Sequence, residues 1–252
     1  MRLRVLGCSG AELPGFNTSS FLIDETLLID AGALCLVLSS AEQQAIRQIF
    51  VTHAHLDHIK GIALLADNLS LTESGIGVDV LATPEIIGAM RTHLFNDILW
   101  PDFTKIPSPE APAIIFREIR PLQATHFGAY AVTACPVNHA VPAVGYLVQK
   151  GRRSLLFSGD TGPTDRLWEL ASNVDALIVD VSFPNAQEEL ALSSGHLSAR
   201  LLGQELHKVR ALPRRILVSH AKPQHLATIR AELAELQCTG IALLKDGDCF
   251  EF

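Results

Sequence analysis

The chain has 252 residues, 48% of them hydrophobic and 19% charged, with a formal net charge of -7. So apolar a chain can bury a large core and is not a disordered one, and a negative charge with no Lys/Arg run lacks the pull on polyanions that a nucleic-acid binder uses. The five cysteines (Cys8, Cys35, Cys135, Cys238, Cys249) are odd in number and never in CxxC spacing, which argues against a disulfide framework or thiolate zinc site and reads as reduced core residues. No signal peptide and no run of membrane-span length is read, so a cytoplasmic protein that engages no membrane is expected.

Short β-branched runs alternate with longer amphipathic ones, which predicts an α/β fold in one domain spanning 1–252. In chain order, the first half reads as strands over 2–7, 20–24 and 27–30, a helix over 39–48, a strand over 49–52, a helix over 58–70, a strand over 78–82 and a helix over 84–97. The stretch "LWPDFTKIPSPEAPA" then clusters prolines and acidic residues, the pattern of an irregular connection suited to a lid or a substrate-facing insertion. The second half reads as strands over 114–119, 128–137, 144–149 and 154–158, a helix over 164–172, a strand over 176–181, a helix over 195–209, a strand over 215–219, a helix over 223–236 and a last strand over 241–251. The two halves look alike, each β-rich at its start and alternating afterwards.

Potential ligands stand where buried-strand patterns stop. "IFVTH" runs into His53, "LLFSGD" into Asp160 and "ILVSH" into His220, while His139 in "TACPVNHAVPAVGYLV" follows a strand and precedes a proline turn. Loops at strand ends are where sites assemble in α/β folds. The densest group is "HAHLDH", with His53, His55, Asp57 and His58 in six positions. Histidines two apart on an extended loop point to one side, and Asp57 and His58 one turn further on face a second point, a spacing that suits two metals. Imidazole and carboxylate ligands fit Zn²⁺ first, with Mn²⁺ or Fe²⁺ as alternatives where oxygen shares the load. A metal pair roughly 3.5–4 Å apart would supply a bridging hydroxide and clamp a phosphoryl group.

"HAHLDH" resembles the HxHxDH motif of the metallo-β-lactamase-fold hydrolases, and "HAVPAVGY", "SGDTGP" and "VSHAKP" fall in the order that superfamily uses, so the likeness covers nearly the whole chain. Within it, "HLDHIKG", "HLFNDILWPDF", "SGHLS" and "SHAKP" look most like class II 3',5'-cyclic-nucleotide phosphodiesterases; Ala63 and "LLADN" depart from that group's continuation. The resemblance implies a four-layer αβ/βα sandwich. It implies that His53, His55 and His139 hold one divalent ion, that Asp57, His58 and His220 hold the other, and that Asp160 bridges them, with Asp57 and His196 as the catalytic residues. An iron-based oxygen-reducing relative would show Glu where His55 stands, so redox chemistry is not expected.

His196, in "SSGHLSARLLGQEL", is expected in the first turn of its helix, near the positive end, where it would bind a phosphoryl oxygen or protonate a leaving alkoxide. Asp180, ending "ALIVD", is read as a partner that fixes a histidine tautomer or as a turn cap. Lys222 is close enough to His220 to reach an anion, and Trp100 and Phe103 suit either base stacking or loop anchoring. His93, His126, His207 and His225 have no spaced partners and read as surface residues. The expected activity is hydrolysis of a small cyclic phosphodiester, a 3',5'-cyclic nucleotide such as cAMP or cGMP, by a metal-bridging hydroxide. The alternatives are tRNA 3'-processing, which the missing basic arm disfavours, and carboxyl-ester, lactone or thioester hydrolysis. The expected partner is a small molecule rather than a nucleic acid, and a homodimer stays open.

Overall fold

A computed structural model describes residues 1–71 and 77–252. In chain order the first half holds β1 (Arg2–Gly7), β2 (Ser20–Ile23), β3 (Leu27–Ile29), α1 (Leu34–Val37), α2 (Ser40–Ala45), β4 (Gln48–Phe50), α3 (Leu56–Ser70), β5 (Val78–Ala82), α4 (Pro84–His93), the two-residue strands β6 (Pro107–Ser108) and β7 (Ala111–Pro112), and β8 (Ile114–Glu118). The second holds β9 (Ala124–Phe127), β10 (Tyr130–Pro136), β11 (Val144–Lys150), β12 (Arg153–Phe157), α5 (Arg166–Leu170), β13 (Ala176–Asp180), α6 (Glu188–Ser194), α7 (Ala199–Leu206), β14 (Arg215–Ser219), α8 (Leu226–Glu235), β15 (Ile241–Leu243) and β16 (Cys249–Glu251).

Two seven-stranded mixed sheets result, in the orders β16-β1-β2-β3-β4-β5-β8 and β15-β14-β13-β12-β11-β10-β9. Each starts with antiparallel neighbours and continues with parallel ones, from β3 to β8 in the first and from β12 to β15 in the second. Central strands such as β2, β3 and β13 are buried on both faces, as strands between helices on one side and the other sheet on the other must be. Between the sheets, Phe21 meets Phe157 at 5.5 Å and Phe50 meets Tyr146 edge-on at 5.4 Å, while Tyr146 Oη donates to the Val51 carbonyl. On the outer faces α3 buries Ile59, Ile62, Ala63, Leu65, Ala66 and Leu69, and α7 buries Leu201, Leu202 and Leu206, the spacing of one helical stripe each. The α/β class, two sheets flanked by helices, is as the sequence predicts.

Several boundaries differ from expectation. The last strand, read over 241–251, is two strands in different sheets: β15 pairs with β14, the chain turns at Gly247 (φ 88), and β16 pairs with β1. The strand read over 128–137 is the second arm of a hairpin that begins at Ala124. The helix read over 58–70 starts at Leu56, so Asp57 lies in its first turn. The helix read over 39–48 is only Ser40–Ala45: a capping box in which Ser39 and Glu42 satisfy each other's backbone N–H groups starts it, and the chain turns extended at Ile46. The cysteines are all free, but only Cys8 and Cys135 are buried; Cys249 lies exposed on the edge strand β16. No helix among the described residues is long and apolar enough to cross a membrane.

Candidate metal centre

The parallel strands of both sheets point their C-terminal ends at one edge of the sandwich. Beyond β3 stands Asp30, beyond β4 His53, beyond β12 Asp160, and beyond β14 His220; β10 leads to His139 three residues on. The α3 start adds Asp57 and His58, with His55 as its N-cap. All seven expected ligand positions meet there: suitable donor atoms of His53, His55, His139 and Asp160, and of Asp57, His58 and His220, lie within 4.8 Å of one another in each group.

What surrounds the rings fixes their tautomers. Thr52 Oγ1 donates to Asp30 Oδ2 at 2.8 Å, so the hydroxyl oxygen is left to accept from His53 Nδ1 at 3.1 Å. His58 Nδ1 donates to Asp30 Oδ2 at 2.7 Å and His139 Nδ1 to the Gly195 carbonyl at 2.8 Å. Ser182 Oγ donates to Asp180 Oδ1 at 2.7 Å and accepts from His220 Nδ1 at 2.8 Å. With four Nδ1 protons directed outward, four Nε2 lone pairs face inward, the arrangement that prepares histidines for a metal. His53 Nε2 is 2.9 Å and His139 Nε2 3.2 Å from His55 Nδ1, and His58 Nε2 is 3.4 Å from His220 Nε2. These separations bracket the edge of about 3.3 Å of a tetrahedron with Zn–N arms of ~2.0 Å. Asp160 Oδ2 lies 3.6 Å from His53 Nε2 and 3.3 Å from both His58 Nε2 and His220 Nε2, between the two groups. The donor set therefore fits a pair of divalent ions.

Electrostatics agree with the geometry. Burial, reinforced by neighbouring imidazoles, holds His53 well below its ordinary pKa and lowers His55, and burial also lowers His139, so these rings are neutral and can ligate. For His58 burial is outweighed by Asp160 and Asp30, which push it well above its ordinary value; the same field favours any cation placed between them. Burial would raise Asp160 and Asp57, but the surrounding histidines, His220 foremost, hold both below the usual carboxylate range.

His196 is not where the sequence reading puts it. Gly195, at φ 71, ends α6 in the left-handed conformation, and a new helix starts only at Ala199, capped by Ser198, whose side chain accepts from Leu201 N. His196 therefore lies in the turn between two helices, two residues before the N-cap, and not in a helix's first turn. Its ring stacks on His220 at 5.3 Å and stands edge-on to His139 at 5.1 Å, and its Nδ1 donates to Asp180 Oδ2 at 2.9 Å. Burial would lower its pKa, but the Asp180 carboxylate outweighs burial and raises it.

Phe103, 3% exposed, anchors the irregular segment in the core, and Trp100 Nε1 donates to the Ala63 carbonyl on α3. Lys222 Nζ donates to the Gly10 carbonyl. Sequence reasoning missed Asp30, Thr52 and Ser182. Asp30 ends "LLID" by the same strand-end pattern that marked Asp160, so that signal was present; Ser182, two residues past such an end, carried none.

A profile described as "Beta-lactamase superfamily domain" matches residues 25–230. The chain belongs to that family. A Yersinia pestis protein named probable 3',5'-cyclic-nucleotide phosphodiesterase is 27% identical over 246 residues, covering 83% of this chain and 69% of that one. A ribonuclease Z of Archaeoglobus fulgidus is 24% identical over 258 residues, covering 79% and 80%. The crystal structure of unliganded yeast PDE1 superposes with a TM-score of 0.82 over 98% of both chains at 17% identity, which shows the shared metallo-β-lactamase fold. As a member of the beta-lactamase superfamily with this cluster, the chain is a metal-dependent hydrolase.

Proposed function

We propose that the chain hydrolyses a small phosphodiester, a 3',5'-cyclic nucleotide, at two divalent ions. In this reading His53, His55 and His139 hold one ion, Asp57, His58 and His220 the other, and Asp160 is shared. Zn²⁺ is the ion assigned first because imidazoles dominate the donor set. When bound, such ions supply Lewis acidity to the phosphoryl oxygens and acidify water at neutral pH. The observation that carries the reading is the His196–Asp180 pair. A buried carboxylate 2.9 Å from Nδ1 favours the protonated ring, whose Nε2–H is then a donor beside the cluster. Such a donor suits the expulsion of a sugar alkoxide, a strongly basic leaving group. Asp57, its side chain 32% exposed, is the more open of the cluster's two carboxylates, and in this reading it orients the attacking water. His196 then delivers its proton to the departing 3'-oxygen.

RNA 3' processing is the second reading, favoured by the ribonuclease Z relative, which matches this chain over nearly as much of its length. Against it stands the net charge of -7, since RNA affinity depends on many phosphate contacts. The deciding experiment gives the metal-replete protein cAMP, cGMP, 2',3'-cyclic nucleotides, bis(p-nitrophenyl) phosphate, a lactone and a pre-tRNA. Turnover of 3',5'-cyclic nucleotides above the rest is expected; cleavage of pre-tRNA with none of cyclic nucleotides would replace the first reading with the second. The five free thiols support the cytoplasm as its location.

A further inference from the structure

We infer that a cleft beside His139 takes the base of the substrate and that Glu85 makes it select guanine, an inference that rests on the cyclic-nucleotide reading above. Two cavities border the cluster. One, lined by Asp30, Thr52, His58 and Asp160 among others, holds about 10 Å³, room for a water at most. The other holds about 500 Å³, within the range of roughly 300–1,000 Å³ of small-molecule sites, and His139 forms part of its wall. It lies at the same edge of the sandwich as the cluster. Thr83 and Glu85 follow the C-terminal end of β5, Pro121 follows that of β8, and Val137, Val141 and Pro142 belong to the connection from β10 to β11. His196 stands edge-on to the His139 ring at 5.1 Å. A cyclic nucleotide with its phosphorus at the ions and its 3'-oxygen at His196 therefore has His139 beside it, and the cleft along His139 is the space that its base can enter.

The wall of this cleft sets what it can recognise. Its prolines and valines offer apolar surface to the face of a base, and Glu85 supplies its one carboxylate. Glu85 is exposed, in the first turn of α4, where its own backbone N–H and the Thr83 hydroxyl hold its carboxyl below the ordinary pKa. The group is therefore ionised at neutral pH and acts as an acceptor only. A carboxylate has about four lone-pair sites, so those two donors fix its position and leave sites free for a ligand. Guanine carries two neighbouring donors on one edge, N1–H and the 2-amino group, which the two oxygens of a carboxylate accept side by side. Adenine presents a single amino group there beside an unprotonated N1, whose lone pair would face a carboxylate oxygen. One base is matched and the other repelled, which is how specificity is set by a single group.

The test compares ligands that differ only in the base. In calorimetric titration of the zinc-loaded protein, guanosine 5'-monophosphate should bind about tenfold or more tightly than adenosine 5'-monophosphate, the scale of one bidentate contact to a base. Inosine 5'-monophosphate, which lacks only the 2-amino group of guanine, should fall between them. Glu85→Gln keeps the size of the side chain and sets a donor beside an acceptor, the complement of adenine. It should reverse the order of the two nucleotides while ribose 5-phosphate binds as before. Glu85→Ala should bring guanosine and adenosine monophosphates together. In turnover the preference for cGMP over cAMP should appear in KM rather than in kcat. Equal affinity of the wild-type protein for the three nucleotides, or a guanine preference that survives in both variants, would overturn the assignment. A wild-type protein that prefers guanosine monophosphate through Glu85 yet hydrolyses neither cGMP nor cAMP would keep the guanine site and remove the cyclic-nucleotide reading alone.

Discussion

His196 and Ser182 differ in what their loss should reveal, because one would touch substrate and the other only orients rings. His196 is held by Asp180 and is outside the proposed ligand set, so His196→Ala should keep both metals while kcat on a cyclic nucleotide falls by roughly 100-fold or more, the range of general-acid catalysis. Bis(p-nitrophenyl) phosphate expels a stable phenolate that needs little protonation, so its kcat should fall far less. Equal losses on both substrates would make His196 a stabiliser of phosphoryl charge. Ser182 Oγ touches His220 Nδ1, His196 Nδ1 and Asp180 Oδ1 at 2.8, 3.2 and 2.7 Å. Ser182→Ala removes the acceptor that fixes the His220 tautomer. Affinity for the ion at Asp57, His58 and His220 should drop by roughly 10- to 100-fold, the usual effect of removing a ligand's hydrogen-bond partner, while the ion at His53, His55 and His139 stays. Chelator competition followed by metal analysis reads this directly, and equal loss at both sites would contradict it.

The turn between β2 and β3 fastens one sheet to the other at Asp24. Its carboxylate accepts from Arg2 N at 2.7 Å within the first sheet, and from Tyr130 Oη at 2.7 Å and Lys150 Nζ at 2.9 Å on β10 and β11 of the second. Burial would raise the Asp24 pKa, but the Arg2 N–H, Lys150 and Tyr130 outweigh it and lower it. A carboxyl whose folded-state pKa is depressed adds stability that is present above its ordinary value near ~3.9 and is lost as pH falls through the folded-state value. Asp24 has a left-handed backbone (φ 45), which Asn also accepts, so Asp24→Asn isolates the charge. The change should lower stability by about 1 kcal/mol at pH 7, a modest figure because Lys150 is 38% exposed, and the difference should vanish in acid; a pH-independent difference in denaturant midpoint would argue against it. Elements of this kind explain what the sequence could and could not disclose. Strands ending on Asp160 and His220 were legible because a buried apolar run that stops on a ligand has few other readings. The break at Gly195 was not, since Ser, Gly and a leucine stripe read equally well as one helix start or as the end of one helix and the start of another. The division of 241–251 between two sheets was hidden for a similar reason: alternation reports that a strand is half-buried, not which sheet it joins.

At the scale of the molecule the proposed ions join what the chain keeps far apart. His53, His55, Asp57 and His58 belong to the first sheet's loops, whereas His139, Asp160 and His220 belong to the second's, and Asp57 and His220 are 163 positions apart yet 3.3 Å from side chain to side chain. No unfolded chain presents the whole set, so metal should bind the folded state far more tightly and stabilise it by at most RT ln(1 + [L]/Kd), about 2.7 kcal/mol when free metal is 100 times Kd. For a chain of this length each kcal/mol shifts Tm by roughly 2–4 °C, so stripping the protein with a chelator should lower Tm by roughly 5–10 °C, and Zn²⁺ should restore it. Asp160 tests whether the ions act as a pair. Its Oδ2 lies between both groups, within 3.6 Å of the nearest imidazole nitrogens of each, so Asp160→Ala removes one oxygen that both ions would share. In that variant metal analysis should show both ions depleted, and the chelator should move Tm little. A variant that loses one ion and keeps half the Tm response would mean that Asp160 serves a single site and that the two groups of ligands work independently.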